Sequence, residues 1–88
     1  MIDFEATTRQ QQTEHFIALA KEWYRKEIFQ PDLASDFGVT RATAYGWTDP
    51  DSRIPRAVII ALDARLAMRR AIEDFNRILG AHAPSGGD

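Results

Sequence analysis

The chain contains no cysteine, which excludes disulfides and thiolate metal sites and is compatible with a reducing, intracellular home. No apolar run approaches the ~18 residues of a membrane-spanning helix. The first residues lack the basic-then-apolar layout of a secretory signal. A cytoplasmic protein with no membrane partner is expected. Histidine is scarce as well: His15 and His82 stand alone, without ligand spacing, so no metal is expected. Glu73 and Asp74 are adjacent and point ~100° apart on a helix, which prevents them from working as a carboxylate pair. There is no nucleophile–base pair and no glycine-rich phosphate loop. These absences point away from an enzyme and away from a cofactor.

An excess of positive charge is also missing. Eleven Lys and Arg stand against thirteen Asp and Glu, a net of −2, where nucleic-acid binders are often basic. The distribution is uneven, however. Residues 1–20 and 71–88 each carry one base and three acids, which leaves residues 21–70 with nine bases and seven acids. Field at a contact face counts for more than the total.

Eighty-eight residues allow one domain with a core just large enough to fold unaided. Helical periodicity dominates the chain. Residues 1–8 read as a loose arm or a single helical turn, with Asp3 or Thr8 as candidate N-caps. From Arg9 to Phe29 a long amphipathic helix is expected, with Phe16, Leu19, Ala20, Trp23 and Tyr24 on one face. Glu22 and Lys26 would pair on its solvent side. Pro31 forces Gln30 out of the α region and suits the first turn of the next helix. Trp23 and Trp47 read as core residues. After the turn TDPDSR, Pro55 opens a helix with no breaker from Arg56 to Leu79, and Asp51 or Ser52 stands close enough to help its first amides. Val58, Ile59, Ile60 and Leu62 make its first half apolar nearly all round. Its second half narrows to a seam of Met68, Ile72, Phe75 and Leu79, the two-position stripe by which helices pack on each other. Gly80 is expected to stop it, with residues 81–88 as a flexible tail.

The centre of the chain is QPDLASDFGVTRATAYGW, Gln30 to Trp47. Leu33, Ala34 and Phe37 recur at helical spacing, Gly38 offers a left-handed stop, and Thr40 is placed to cap a further helix. Ala44 and Trp47 then resume the apolar rhythm. Helix, tight turn and helix in so short a span is the helix-turn-helix unit. If Ala44 and Trp47 face inward, Ala42 points away from them, Tyr45 and Gly46 lie on the outer face, and Arg41 and Thr43 flank it.

With its small Ala34, turn glycine Gly38, following Val39 and buried Ala44 and Trp47, the stretch resembles the helix-turn-helix of the lambda-repressor-like (Cro/repressor type) DNA-binding family. RIPRAVIIAL, Arg53 to Leu62, resembles the next helix of that family. The resemblance spans roughly residues 16–66. It implies an all-α fold of four to five helices, a central helix-turn-helix and a long C-terminal helix. It also implies duplex DNA as partner, with the DNA-facing set Gln30, Thr40, Arg41, Ala42, Thr43, Tyr45, Gly46, Arg53 and Arg56. Arg41 would read guanine in bidentate fashion, worth ~1–3 kcal/mol of discrimination. Ala42 would meet a thymine methyl, and Tyr45 a phosphate or base edge. Gln30, Thr43, Arg53 and Arg56 would hold phosphates, which position a duplex without reading it. Gly46 costs ~1 kcal/mol against alanine, which suits close approach to DNA or to the neighbouring helix. The outer face is small and aromatic where family members often place glutamine, asparagine or serine, so part of the specificity would come from DNA shape.

The expected protein is a small phage or bacterial transcriptional regulator, a repressor before an activator. Residues 1–80 would form the domain, dimerising through residues 66–79 (Met68, Ile72, Phe75, Leu79), with RNA polymerase or another regulator as further partners. Two rivals use the same fold: a ring-forming phage DNA-packaging adaptor, and a protein-binding inhibitor or antitoxin module.

Overall fold

A computed structural model describes residues 2–82, with the side chains up to Gly80; residues 83–88, most of the expected tail, lie outside the described residues. Four helices follow one another: α1 (Arg9–Tyr24), α2 (Gln30–Phe37), α3 (Arg41–Gly46) and α4 (Arg56–His82), with no strand among the described residues. The chain is all-α with a long C-terminal helix, as the periodicity implied.

The N-terminal arm is a turn, not a loose end. Ala6 N–H and the Thr7 hydroxyl both donate to the Asp3 carbonyl, and the Gln12 amide donates to the carbonyls of Phe4 and Thr7. Thr8, not Asp3, caps α1: its hydroxyl accepts from Gln11 N–H at 3.1 Å while its own N–H donates to Gln11 Oε1 at 2.8 Å. This reciprocal box satisfies two of the donors orphaned at a helix start.

The first helix ends at Tyr24, well short of the expected Phe29. Arg25 takes the left-handed conformation (φ 57°, ψ 41°) and donates its N–H to the Lys21 carbonyl at 2.8 Å. The reason is tertiary. Phe29 is buried edge-on against Phe16, ring centroids 5.8 Å apart. Thirteen residues of continuous helix would separate the two by ~20 Å along the axis, so the chain has to double back between them. The expected Glu22–Lys26 pair is lost with that turn: Lys26 pairs with Asp32 at 2.6 Å and Glu22 with Arg70 at 2.6 Å.

Pro31 stands in the first turn of α2 but does not push Gln30 out of the helix, since Gln30 is its first residue; α2 buries Leu33 and Ala34 and stops at Gly38 in the left-handed region (φ 69°). The N–H groups of Gly38 and Val39 both converge on the Ala34 carbonyl, closing the helix end in the manner a glycine permits. The core gathers Phe16, Leu19 and Ala20 of α1, Phe29, Leu33 and Ala34 around α2, Ala44 of α3, and Ile54, Val58, Ile59, Leu62 and Leu66 leading into and along α4. The two tryptophans are not interior. Each is half-buried at the margin, Trp47 edge-on to Phe16 at 6.3 Å and Trp23 under the arginines of α4. Ile60 is exposed although its neighbours are buried.

α4 begins at Arg56, and the Asp51 and Ser52 side chains make no hydrogen bond to it among the described residues; the turn before it is shaped by Asp49, whose carboxylate accepts from Asp51 N–H at 2.9 Å. Gly80 does not stop α4, which runs on through His82. A Cβ at Gly80 would meet nothing within 4 Å. Glycine lowers helix propensity by ~1 kcal/mol but does not by itself break a long helix.

Candidate nucleic-acid interface

The turn between α2 and α3 fixes the outward face of α3. Thr40 precedes the helix in an extended conformation, and its hydroxyl accepts from Thr43 N–H at 3.1 Å. Ala44 is fully buried and Trp47 closes the helix against Phe16. With those two positions turned inward, Arg41, Ala42, Thr43 and Tyr45 are exposed, the side that 100° per residue assigns them. Trp47 N–H donates to the Thr43 carbonyl and the Thr48 hydroxyl to that of Tyr45, so the far end of this six-residue helix is also held.

The chemistry of the individual positions is uneven. The Thr40 hydroxyl gives its proton to Thr43 Oγ1 at 3.0 Å while accepting from Thr43 N–H. It therefore acts as the cap of α3, and the two hydroxyls share one hydrogen bond on its exposed side. Gln30 is half-buried with its Oε1 enclosed and unpartnered. Gly46 is half-buried, yet a Cβ there would meet nothing within 4 Å; contact with a neighbouring helix is not what keeps this position small.

Partner carboxylates sort the cations. Lys21 pairs with Glu27, Lys26 with Asp32, Arg65 with Asp36, Arg70 with Glu22 and Arg77 with Asp74. Arg25 lies 3.6 Å from Glu73 and Arg56 3.7 Å from Glu5. Arg69 has no carboxylate but lies 3.9 Å above the Trp23 ring centroid and donates to the carbonyls of Glu22 and Trp23. Among the described residues Arg9, Arg41 and Arg53, like Arg69, have no acidic partner, and they lack its seat on an aromatic ring. The acids of this net-negative chain thus neutralise the flank made by the α1 C-terminus, α2 and α4. The arginines without such a partner stand on α3 and where the arm meets the α3–α4 turn, a turn that also carries the Asp49 and Asp51 carboxylates.

Arg9 was not in the sequence-derived set, and nothing in its local spacing announces it. Only folding brings α1's first residue to the turn before α4, where Arg9 Nη1 donates to the Asp51 carbonyl at 3.3 Å.

One further polar cluster locks α2 to its neighbours. Asp36 accepts from the Tyr24 hydroxyl at 2.7 Å and from the Arg65 guanidinium, which also lies over the rings of Phe37 and Trp23. The Tyr24 hydroxyl holds the Asp36 carboxyl below its ordinary range; burial opposes it, and the hydrogen bond and charge of Arg65 add to the lowering. Burial first, then the neighbouring carboxylate, push the Tyr24 phenol well above its ordinary value. His15 meets Asp63 at 3.3 Å across α1 and α4.

The free stripe of α4 starts after Leu66, which is buried, so residue 66 belongs to the body of the domain. Met68, Ile72, Phe75 and Leu79 are 63, 51, 61 and 52% exposed, and Ile78 joins them at 55%. No helix among the described residues is long and apolar enough to cross a membrane. Compared with protein-family models, with curated proteins and with solved structures, the chain finds no match in any of the three.

Proposed function

We propose that this chain is a small DNA-binding transcriptional regulator, similar to the lambda-repressor-like regulators. It would bind duplex DNA in a sequence-specific way through α3 and act as a repressor by occupancy. The observation that carries the proposal is the outward face of α3. Arg41 has no acidic partner among the described residues and stands exposed beside Ala42, Thr43 and Tyr45, on a helix set by a left-handed Gly38 and a Thr40 cap. A guanidinium at the start of such a helix, entering the major groove, matches guanine O6 and N7.

Affinity in a net-negative chain calls for two copies. The exposed stripe Met68–Ile72–Phe75–Leu79 supports a homodimer joined along the distal part of α4, with recognition helices presented to half-sites ~34 Å apart. Selection of duplexes from a random library, followed by titration with Arg41→Ala, tests the assignment. The variant is expected to lose ~1–3 kcal/mol of affinity for the selected operator, with wild-type affinity falling steeply as salt rises. Unchanged operator affinity in the variant refutes the role of α3. A flat salt dependence points instead to a protein partner.

A further inference from the structure

Between the N-terminal arm, the start of α1 and the segment leading into α4 lies a cleft of about 560 Å³. Phe4, Thr7, Arg9, Gln12, Arg53 and Arg56 line it. Three arginines from two separated points of the chain, Arg9 and the Arg53–Arg56 segment, therefore line one concavity in a protein of net charge −2.

Their hydrogen bonding leaves them available. Arg53 has no acidic partner among the described residues, Arg9 gives one bond to a backbone carbonyl, and Arg56 faces only the well-exposed Glu5 carboxylate at 3.7 Å. The walls are built, too. Gln12 pins the arm through the carbonyls of Phe4 and Thr7, and the Phe4 ring stacks under Arg56 at 5.1 Å, which orients that guanidinium. No acidic residue stands in the first turn of α4, so the positive end of its dipole is not offset within that turn.

We infer that this cleft is a binding site for a phosphoryl group, held by Arg9, Arg53 and Arg56, with Glu5 as the internal counter-ion that the ligand displaces. A phosphate offers several strong acceptor oxygens, and planar guanidinium forks match them in pairs. Three such groups exceed what one carboxylate, Glu5, neutralises. The phosphoryl group comes either from the backbone of bound DNA or from a free phosphate-bearing ligand. The inference does not depend on the role of α3.

The test uses the full chain, with inorganic phosphate titrated by calorimetry at constant ionic strength set by chloride. A random-sequence duplex is titrated in parallel. The double variant Arg9→Ala/Arg53→Ala is expected to weaken binding of at least one probe by about tenfold, the scale of losing charge-assisted hydrogen bonds at a partly solvated site. Glu5→Gln is expected to tighten the same probe about two- to fivefold, the scale of an exposed ion pair. Opposite signs from two exposed substitutions cannot both come from damaged folding.

An effect on phosphate alone assigns a free ligand, and one on the duplex alone or on both assigns the DNA backbone. Binding of both probes that is indifferent to the double variant overturns the site, as does a Glu5→Gln protein that binds no tighter than wild type. If Arg41→Ala abolishes operator recognition while the cleft variants are silent, the cleft fails and the α3 assignment stands. The reverse pattern overturns the α3 assignment alone.

Discussion

Arg69 and Arg70 are adjacent on α4, carry the same charge and both reach the end of α1, yet their loss should differ severalfold in cost. Arg69 puts its guanidinium 3.9 Å from the Trp23 ring centroid and donates to the carbonyls of Trp23 at 2.9 Å and Glu22 at 3.3 Å. Those carbonyls belong to the last turn of α1, where the helix itself supplies no donor. Two charge-assisted bonds at a half-buried site contribute about 1–2 kcal/mol together, and the cation–π contact about 0.5–1 kcal/mol. Arg69→Ala should therefore destabilise by about 2 kcal/mol or somewhat more. Arg70 makes only a salt bridge to Glu22, with the two side chains 60 and 50% exposed; such pairs contribute about 0.5 kcal/mol. In a domain of this size 1 kcal/mol moves Tm by about 4–8 °C, so the variants should melt roughly 10 °C and 3 °C below wild type. Arg69→Lys should fall between, because a point charge cannot reproduce the fork. Urea denaturation followed by circular dichroism at one fixed protomer concentration measures this, since association would shift apparent stability by mass action. Equal losses for Arg69→Ala and Arg70→Ala would refute this role of the Arg69 contacts to the end of α1.

Three other outcomes are expected. Arg25→Gly should raise stability by about 0.5 kcal/mol in the same denaturation assay. It relieves a left-handed arginine that costs about 1 kcal/mol and gives up only the exposed contact to Glu73 and some unfolded-state entropy; a destabilised variant would show that the side chain matters more than the turn. Because the folded-state pKa of Asp36 is depressed, its contribution is complete above the unfolded value of about 3.9 and is lost as pH falls through the folded one. The stability gap between wild type and Asp36→Asn should therefore shrink below about pH 4, as urea midpoints taken across that range would show. Phe75→Asp should give monomers by sedimentation and weaken DNA binding, while the fold of residues 9–66 keeps its helical circular dichroism. A variant that stays dimeric would remove the stripe as the interface.

The helix-turn-helix was legible because its determinants are local. Gly38 dictates a left-handed stop, Thr40 supplies a cap within three residues, and the spacing of Leu33, Ala34, Ala44 and Trp47 states which faces are apolar. Leu33, Ala34 and Ala44 are buried as that pattern states, while Trp47 packs half-buried at the margin of the core. The break at Arg25 was not legible, because arginine is an ordinary helix former. What ends α1 is the demand that Phe29 return to Phe16, together with an α4 arginine that satisfies the exposed carbonyls. The same holds for the cations. Composition counts eleven bases and thirteen acids, but which bases remain unneutralised depends on pairs such as Arg65–Asp36 and Arg70–Glu22, far apart in sequence. The approach of Arg9 to the turn before α4 is hidden in the sequence for that reason, whereas the capping role of Thr40 is local and readable.

The two halves of α4 are apolar on different faces. At 100° per residue, Val58, Ile59, Leu62 and Leu66 share one direction, while Met68, Ile72, Phe75 and Leu79 share another, rotated from the first by about 125°. The core direction, continued along the helix, passes through Arg69, Arg70 and Glu73. These are the residues that meet the end of α1, at Trp23, Glu22 and Arg25 respectively. The body of the domain therefore occupies the charged side of distal α4, and the apolar stripe faces elsewhere. A fold-back onto Phe16 and Trp23, the intramolecular alternative for the stripe, would need α4 to turn by that angle about its own axis, which would expose Ile59 and Leu62, both fully buried. Burying a side chain of that size is worth about 1.5–3 kcal/mol, so such a rotation would cost as much at one end as it recovers at the other. The stripe lies off the core face, so the proposed homodimer would join two copies without disturbing the residues that hold α3 in place.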